Sequence, residues 1–148
     1  MNIGGIIWDA VNIYDGVAVE IYISGCYHKC PECHNPEMQD FDYGEKLTIN
    51  ELGLKLFNNK KWFDIIAILG GDLLCQDEFE AWYLINYLHY TFPEKKLWLF
   101  TGKEKEEIPK WCFEYFDVIK TGRYIKELPS NGKLASSNQK LLYKGKDY

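Results

Sequence analysis

Residues 25–37, GCYHKCPECHNPE, hold three of the chain's five cysteines, Cys26, Cys30 and Cys33, at CxxxCxxC spacing. Turns at that spacing can aim three thiolates at one centre. Two chemistries compete for such a set. Zinc takes four ligands, and His28 or His34 could complete the shell. A cubane iron–sulfur cluster has four iron corners, so three cysteines would leave one iron open to a substrate or cofactor. A structural zinc site normally draws on two ligand pairs, often distant in sequence. Here the ligands form one tight run and the other cysteines are single. The spacing favours the open-cornered cluster, with zinc as the alternative. Cys75, at an expected helix start, and Cys112, in an apolar segment, read as small buried hydrophobes. Pro31 sets φ within the loop, and Asn35 is placed to hydrogen-bond the loop backbone or the sulfurs.

The elements that must position this loop follow from patterning. VAVEIYISGC, residues 17–26, alternates and is rich in β-branched residues, a strand that Gly25 ends. LTINELGLKLFNN reads as a helix with Thr48 as N-cap and Glu51 three residues on. FDIIAILGG, residues 63–71, is a buried strand ending in paired glycines. QDEFEAWYLINYLHYTF is a helix with Phe79, Trp82, Leu84, Ile85 and Leu88 on its apolar side, stopped by Pro93. KKLWLFTG, residues 95–102, is a strand; KEKEEIPKWCFEYF is helical in part, interrupted at Pro109; DVIKTG, residues 117–122, is a short strand. The tail from Tyr124 is mostly loop, with a strand at Lys140 to Tyr143.

Strands alternating with helices imply parallel pairing and an α/β fold. A closed eight-stranded barrel needs about 250 residues, so an open, curved, mainly parallel sheet is expected. Its strand exits share one edge, where open α/β sheets bind ligands. Gly25, Gly70 with Gly71, Gly102 and Gly122 should face one crevice there, and the cysteine loop should sit beside the glycine pair. Thr101 and Gly102, and the trio Ser136, Ser137 and Asn138, are expected to line it, with Thr101 as a cofactor contact. Asp72 could accept from a ligand ammonium or cap the helix that follows.

The 148 residues suggest one domain, 1–148, and 47% hydrophobic content argues against disorder. A net charge of −5 argues against direct nucleic-acid binding. Nothing is long and apolar enough to span a membrane, and the acidic opening is a poor signal peptide. Clustered, odd-numbered cysteines fit a reducing compartment, so the expectation is a cytoplasmic protein.

CxxxCxxC after a first strand is the signature of radical S-adenosylmethionine enzymes. Further pieces narrow the match: SGCYHKCPECHNPE, LGGDLLCQDE, FPEKKLWLFTGK, DVIKTGRYIKELP and SSNQKLLY, in this order and over most of the chain. With them the chain resembles the anaerobic ribonucleoside-triphosphate reductase activating proteins, small members of that superfamily with an incomplete barrel. The resemblance implies that Cys26, Cys30 and Cys33 ligate three irons of a [4Fe-4S] cluster and that S-adenosylmethionine chelates the fourth. It implies that Gly70, Gly71 and Asp72 hold the methionine end of the cofactor. It implies reductive cleavage to a 5′-deoxyadenosyl radical, which takes a Cα hydrogen from one glycine of the large reductase subunit. The cofactor carries the radical, so no catalytic side chain is expected. A reduced electron donor such as a flavodoxin would be a second partner. Leu73 stands where the family often has proline, and Ala18 where arginine would fall.

A chain this small has little left to enclose a large substrate pocket, which suits a partner glycine entering an open face; Tyr14, Tyr22, Tyr27 and Phe41 are candidates for that face. Three rivals remain at this stage: a small radical enzyme acting on a free heterocycle, an activase for another glycyl-radical enzyme, and a zinc-stabilised binding module.

Overall fold

A computed structural model describes residues 1–130 and 132–148. The loop expected at Asn131 lies outside the described residues. In β2 (Ala18–Ile23), Val19, Ile21 and Ile23 turn to one side and Ala18, Glu20 and Tyr22 to the other, as the two-residue period of a strand requires. The same division runs through β4 (Ile65–Gly70), β5 (Lys96–Phe100) and β6 (Val118–Thr121), which follow β2 in parallel. Glu20, Ala67, Trp98 and Val118 stand in one row across these four strands.

The full sheet has seven strands in the order β3-β1-β2-β4-β5-β6-β7, with β1 spanning Asn2–Ala10, β3 Glu45–Lys46 and β7 Lys140–Tyr143. It is open, consistent with an incomplete barrel. The expectation of a mainly parallel sheet needs correction: three pairings are parallel, but β1–β2, β1–β3 and β6–β7 are antiparallel. The connections explain this. Only seven residues separate β1 from β2, and among the described residues no α-helix lies between β6 and β7. Neither link is a helical crossover, and a parallel return needs one of a dozen or more residues. Strand β1 escaped the sequence reading because Gly4 and Gly5 break its apolar pattern and two register shifts distort its pairing with β2.

The helices cover one face. In α1 (Ile49–Asn58), the Thr48 side chain accepts from Glu51 N–H at 3.1 Å, the expected cap. In α2 (Glu78–Thr91), Asp77 caps Glu80 N–H at 3.0 Å. Ala81, Leu84, Ile85 and Leu88 form the buried stripe of α2, and Phe79, expected on it, is 67% exposed because it falls outside that spacing. The segment around Pro109 gives only a 3-10 turn and the single-turn α3 (Cys112–Tyr115). Beneath the helices lies the larger core, including Val19, Ile21, Ile66, Ile68, Leu99 and Ile119 against Leu56, Leu88 and Phe116. Cys112 is wholly buried in it, and burial pushes its thiol up, the inert hydrophobe that its setting in sequence suggested. The opposite face carries a smaller cluster of Ala18, Ile65, Ala67, Trp98 and Val118 with Tyr14. Tyr14 is buried there, edge-on to Trp98 at 4.9 Å, while Tyr27 and Phe41 are exposed. No helix is long and apolar enough to cross a membrane among the described residues.

Candidate metal and cofactor site

The exits of β2, β4, β5 and β6 open onto one crevice of about 390 Å³. It is lined by Cys26, Cys30 and Cys33 from the first exit, Gly70, Gly71 and Asp72 from the second, Thr101 and Gly102 from the third, and Gly122 from the fourth. The first two loops are stitched together by backbone. Gly71 N–H donates to Ile23 C=O at 2.8 Å and Asp72 N–H to Gly25 C=O at 3.0 Å. The Gln76 side-chain amide adds contacts of 3.0–3.1 Å to the carbonyls of Ser24, Gly25 and Asp72. Glycine is required where these strands meet. Gly70 has φ +114°, and a Cβ on Gly71 would stand 2.5 Å from the Gly25 carbonyl oxygen.

The cysteine loop turns sharply twice. Lys29 and Glu32, each just before a cysteine, have φ of 52° and 56°. Cys33 N–H donates to Cys30 C=O at 3.1 Å across Pro31-Glu32, so proline occupies the second turn position and a left-handed residue the third, as in a type II turn. All three cysteines are half-buried. His34 is exposed, 4.5 Å from the Tyr124 ring, and Asn35 makes no side-chain hydrogen bond among the described residues.

Asp72 is the organising side chain. It is wholly buried. Its Oδ2 accepts from His28 Nε2, Thr101 Oγ1 and Gly102 N–H, each at 2.8 Å, and its Oδ1 caps Leu74 N–H at 2.9 Å. One carboxylate thus ties three strand exits together. The Asp72 bond raises His28 above its ordinary value despite burial. His28 Nδ1 is buried without a protein partner, a polar atom left for a ligand in the crevice wall. Leu73, the departure from proline, is fully buried in the larger core. Ala18, the departure from arginine, is fully buried with Ala10 and Ile65 at the start of β2, two residues before Glu20 and outside the crevice lining. The crevice draws its cations from Lys120, Arg123 and Lys133. Burial pulls the Lys120 ammonium down to about 8.

Cys75 does not sit apart as a core residue. Its Sγ is 3.7 Å from His28 Nε2, and donor atoms of Cys26, His28 and Cys75 all lie within 4.8 Å of one another. The Cys26 and Cys75 sulfurs are neighbours, and their mutual interaction pulls Cys26 down and pushes Cys75 up. Of the two, Cys26 is the one lowered toward thiolate, the form that binds metals. Ser136 and Asn138 do not line the crevice. Ser136 Oγ and the Asn138 carboxamide bind each other at 2.6 Å, and Asn138 Nδ2 donates to Arg123 C=O at 2.9 Å, holding the loop after β6. Gln139, which bonds Gly122 C=O at 3.0 Å, reaches the crevice instead. Gln76, Glu20 and Lys120 were not legible as site residues, since each acts across strands; His28, weighed as a fourth metal ligand, instead bonds Asp72. The polar residues at alternating positions of β2 and β6 were the available signal.

The fold and crevice define a class: open α/β sheets that gather sulfur donors and paired glycines where parallel strands end. Residues 15–142 match the family model described as a 4Fe-4S single cluster domain. The chain is 33% identical over 137 residues to the anaerobic ribonucleoside-triphosphate reductase-activating protein of Enterobacteria phage T4, covering 89% of this chain and 86% of that protein. It is 27% identical over 137 residues to the protein of the same name from Escherichia coli K12, covering 84% and 86%. A shorter stretch of 68 residues is 35% identical to the pyruvate formate-lyase-activating enzyme of Clostridium pasteurianum, 43% of this chain and 29% of that enzyme. The chain belongs to the 4Fe-4S single cluster domain family and is a radical S-adenosylmethionine-type iron–sulfur activase related to the anaerobic ribonucleoside-triphosphate reductase-activating proteins.

Proposed function

We propose that the chain is the activase of an anaerobic, class III ribonucleoside-triphosphate reductase, generating a glycyl radical on its large subunit. One observation carries the reading: the three thiols of the CxxxCxxC loop and the Gly70-Gly71-Asp72 backbone line one crevice. Cys26, Cys30 and Cys33 would hold three irons of a [4Fe-4S] cluster. The donor set suits it: three half-buried thiols, one lowered toward thiolate, beside a buried orphan nitrogen. Gly70 and Gly71 let the β4 exit pack directly on the backbone of Ile23 and Gly25, where a Cβ on either would collide, and so bring their main chain to the crevice wall for the cofactor's methionine end. Asp72 and Thr101 shape that contact by fixing the loops after β4 and β5. Held there by the three cysteines and the Gly70-Gly71-Asp72 loop, the cluster and S-adenosylmethionine would supply one-electron reductive cleavage of the cofactor and hydrogen abstraction from a glycine Cα of the partner. The chain itself orients the cofactor and excludes water. A reduced flavodoxin-type donor supplies the electron, and the whole of residues 1–148 acts as one domain.

The test mixes anaerobically reconstituted protein with S-adenosylmethionine, a reductant and the reductase large subunit. A glycyl-radical doublet in the EPR spectrum is expected. Cofactor cleavage without a radical on that subunit would redirect the reading to a different substrate. A second reading has one observation behind it: the compact Cys26, His28 and Cys75 donors suit a mononuclear zinc. It leaves Cys30 and Cys33 idle and requires His28 to bind metal beside its bond to Asp72. Zinc retained by a Cys30→Ala, Cys33→Ala double variant and lost from Cys75→Ala would favour it.

A further inference from the structure

Glu20 is a buried acid with no established part in the site. It is 7% exposed, on the crevice side of β2, and it lines the same cavity as Cys26 and Gly71. Its row neighbours Ala67, Trp98 and Val118 carry no charge. Tyr14 OH donates to its Oε2 at 2.6 Å and Tyr22 OH to its Oε1 at 3.0 Å. Burial and Glu20 itself push both phenols up, so they remain neutral donors. Among the described residues no Lys, Arg or His forms an ion pair with it. Lys120, across the sheet on β6, feels Asp72 and Cys30 instead.

A carboxylate out of water needs a compensating cation, because neutral donors orient its lone pairs without cancelling its charge. Among the described residues none is paired with Glu20, although Lys120, Arg123 and Lys133 line the same cavity, and the cavity is where a ligand cation can arrive. On the reading proposed above, on which this inference rests, the occupant is S-adenosylmethionine. On that reading the ligand's amino and carboxylate groups would meet iron, which would leave its sulfonium as the free positive charge. A sulfonium has no N–H or O–H to donate, so a site selects it chiefly by its positive charge and the weakly donating C–H groups that the charge polarises. A buried carboxylate whose hydrogen bonds are already made by two phenols offers charge without demanding a donor.

We propose that Glu20 is a specificity-determining residue that selects the cationic sulfonium of S-adenosylmethionine over neutral thioether analogues. In the low-dielectric crevice a unit charge acts over several ångströms, so direct contact is not required.

The experiment measures equilibrium binding to anaerobic protein carrying the oxidised cluster, which cannot cleave the cofactor. Three ligands are compared: S-adenosylmethionine, its amine analogue with an ammonium in place of the sulfonium, and neutral S-adenosylhomocysteine. Glu20→Gln keeps the shape of the side chain; its iron content and visible absorption confirm cluster loading. It is expected to weaken both cationic ligands by about tenfold or more and the neutral one by less than about twofold. Glu20→Asp should restore part of the preference. Tyr22→Phe, which removes a donor and keeps the charge, should retain it, and this variant carries the test if the Gln variant does not load cluster. An equal loss for all three ligands, as ribose hydrogen bonding would give, overturns the proposal. So does an unchanged preference in Glu20→Gln, or a lost preference in Tyr22→Phe. If the wild type binds none of the three, the underlying functional reading fails and this inference falls with it; if it binds S-adenosylmethionine and only the preference is unmoved, the functional reading stands alone.

Discussion

The two faces of the sheet are built from the same strands and solve different problems. The helix-covered face is apolar, with Ile21, Ile68, Leu99 and Ile119 at 0% exposure, and its neighbours are all supplied by the chain. The crevice face has a small apolar floor, then Glu20 and Lys120, then cysteines and glycines at the strand exits. One face is closed by α1, α2 and α3. The other leaves polar groups, such as His28 Nδ1, without protein partners. The difference teaches that stability and chemistry are carried by opposite side-chain sets of single strands, on adjacent residues such as Ile21 and Glu20.

That division predicts separable effects. The largest is on the crevice side: Cys26→Ala, Cys30→Ala or Cys33→Ala should abolish cluster assembly, read as iron content, and leave thermal unfolding of the cluster-free chain little changed. Cys112→Ala should load a full cluster. On the covered face, Phe116→Ala removes a wholly buried ring and should cost about 3–5 kcal/mol in denaturant unfolding, with normal cluster content in the protein that remains folded. Loss of cluster from folded Phe116→Ala would break the separation.

Gly71→Ala should fall between the two sets. Its Cβ would meet the Gly25 and Met38 carbonyl oxygens at 2.5 and 2.6 Å. A cost of about 1–3 kcal/mol is expected, together with weaker cofactor binding at full iron content. The effect at Lys120 shows itself through pH. A base held near 8 in the folded chain, against an ordinary 10.5, destabilises it while protonated. As pH rises from 8 toward 10.5 the folded chain sheds that proton before the unfolded chain does, so stability climbs. Lys120→Met should therefore be more stable than wild type below pH 8, with the advantage shrinking toward pH 10.5. A constant difference across that range would place the Lys120 ammonium in water.

What was legible in the sequence is what local chemistry decides. Thr48 caps α1 through a bond three residues away, and the apolar runs of β4 and β5 need no partner to be recognised. The turn at Pro31-Glu32 and the meeting of cysteine loop and glycine pair followed from spacing and from the shared edge of parallel strands. The rest depends on residues distant in the chain. Glu20 looks like a solvent-facing residue of an alternating strand until Tyr14 and Tyr22 close over it. Asp72 meets His28 and Thr101, 44 and 29 residues away. Cys75 lies 47 residues beyond His28 and still comes within 3.7 Å of it. Strand β1 has too interrupted a pattern to stand out without β2 beside it.

The central claim is an iron corner in the crevice that the chain leaves open to a cofactor. Low-temperature EPR of anaerobically reconstituted, reduced protein, before and after addition of S-adenosylmethionine, tests it most directly. The account predicts a [4Fe-4S]⁺ signal whose shape changes on addition. A cluster signal indifferent to the cofactor, or stoichiometric zinc with no cluster signal, would contradict it.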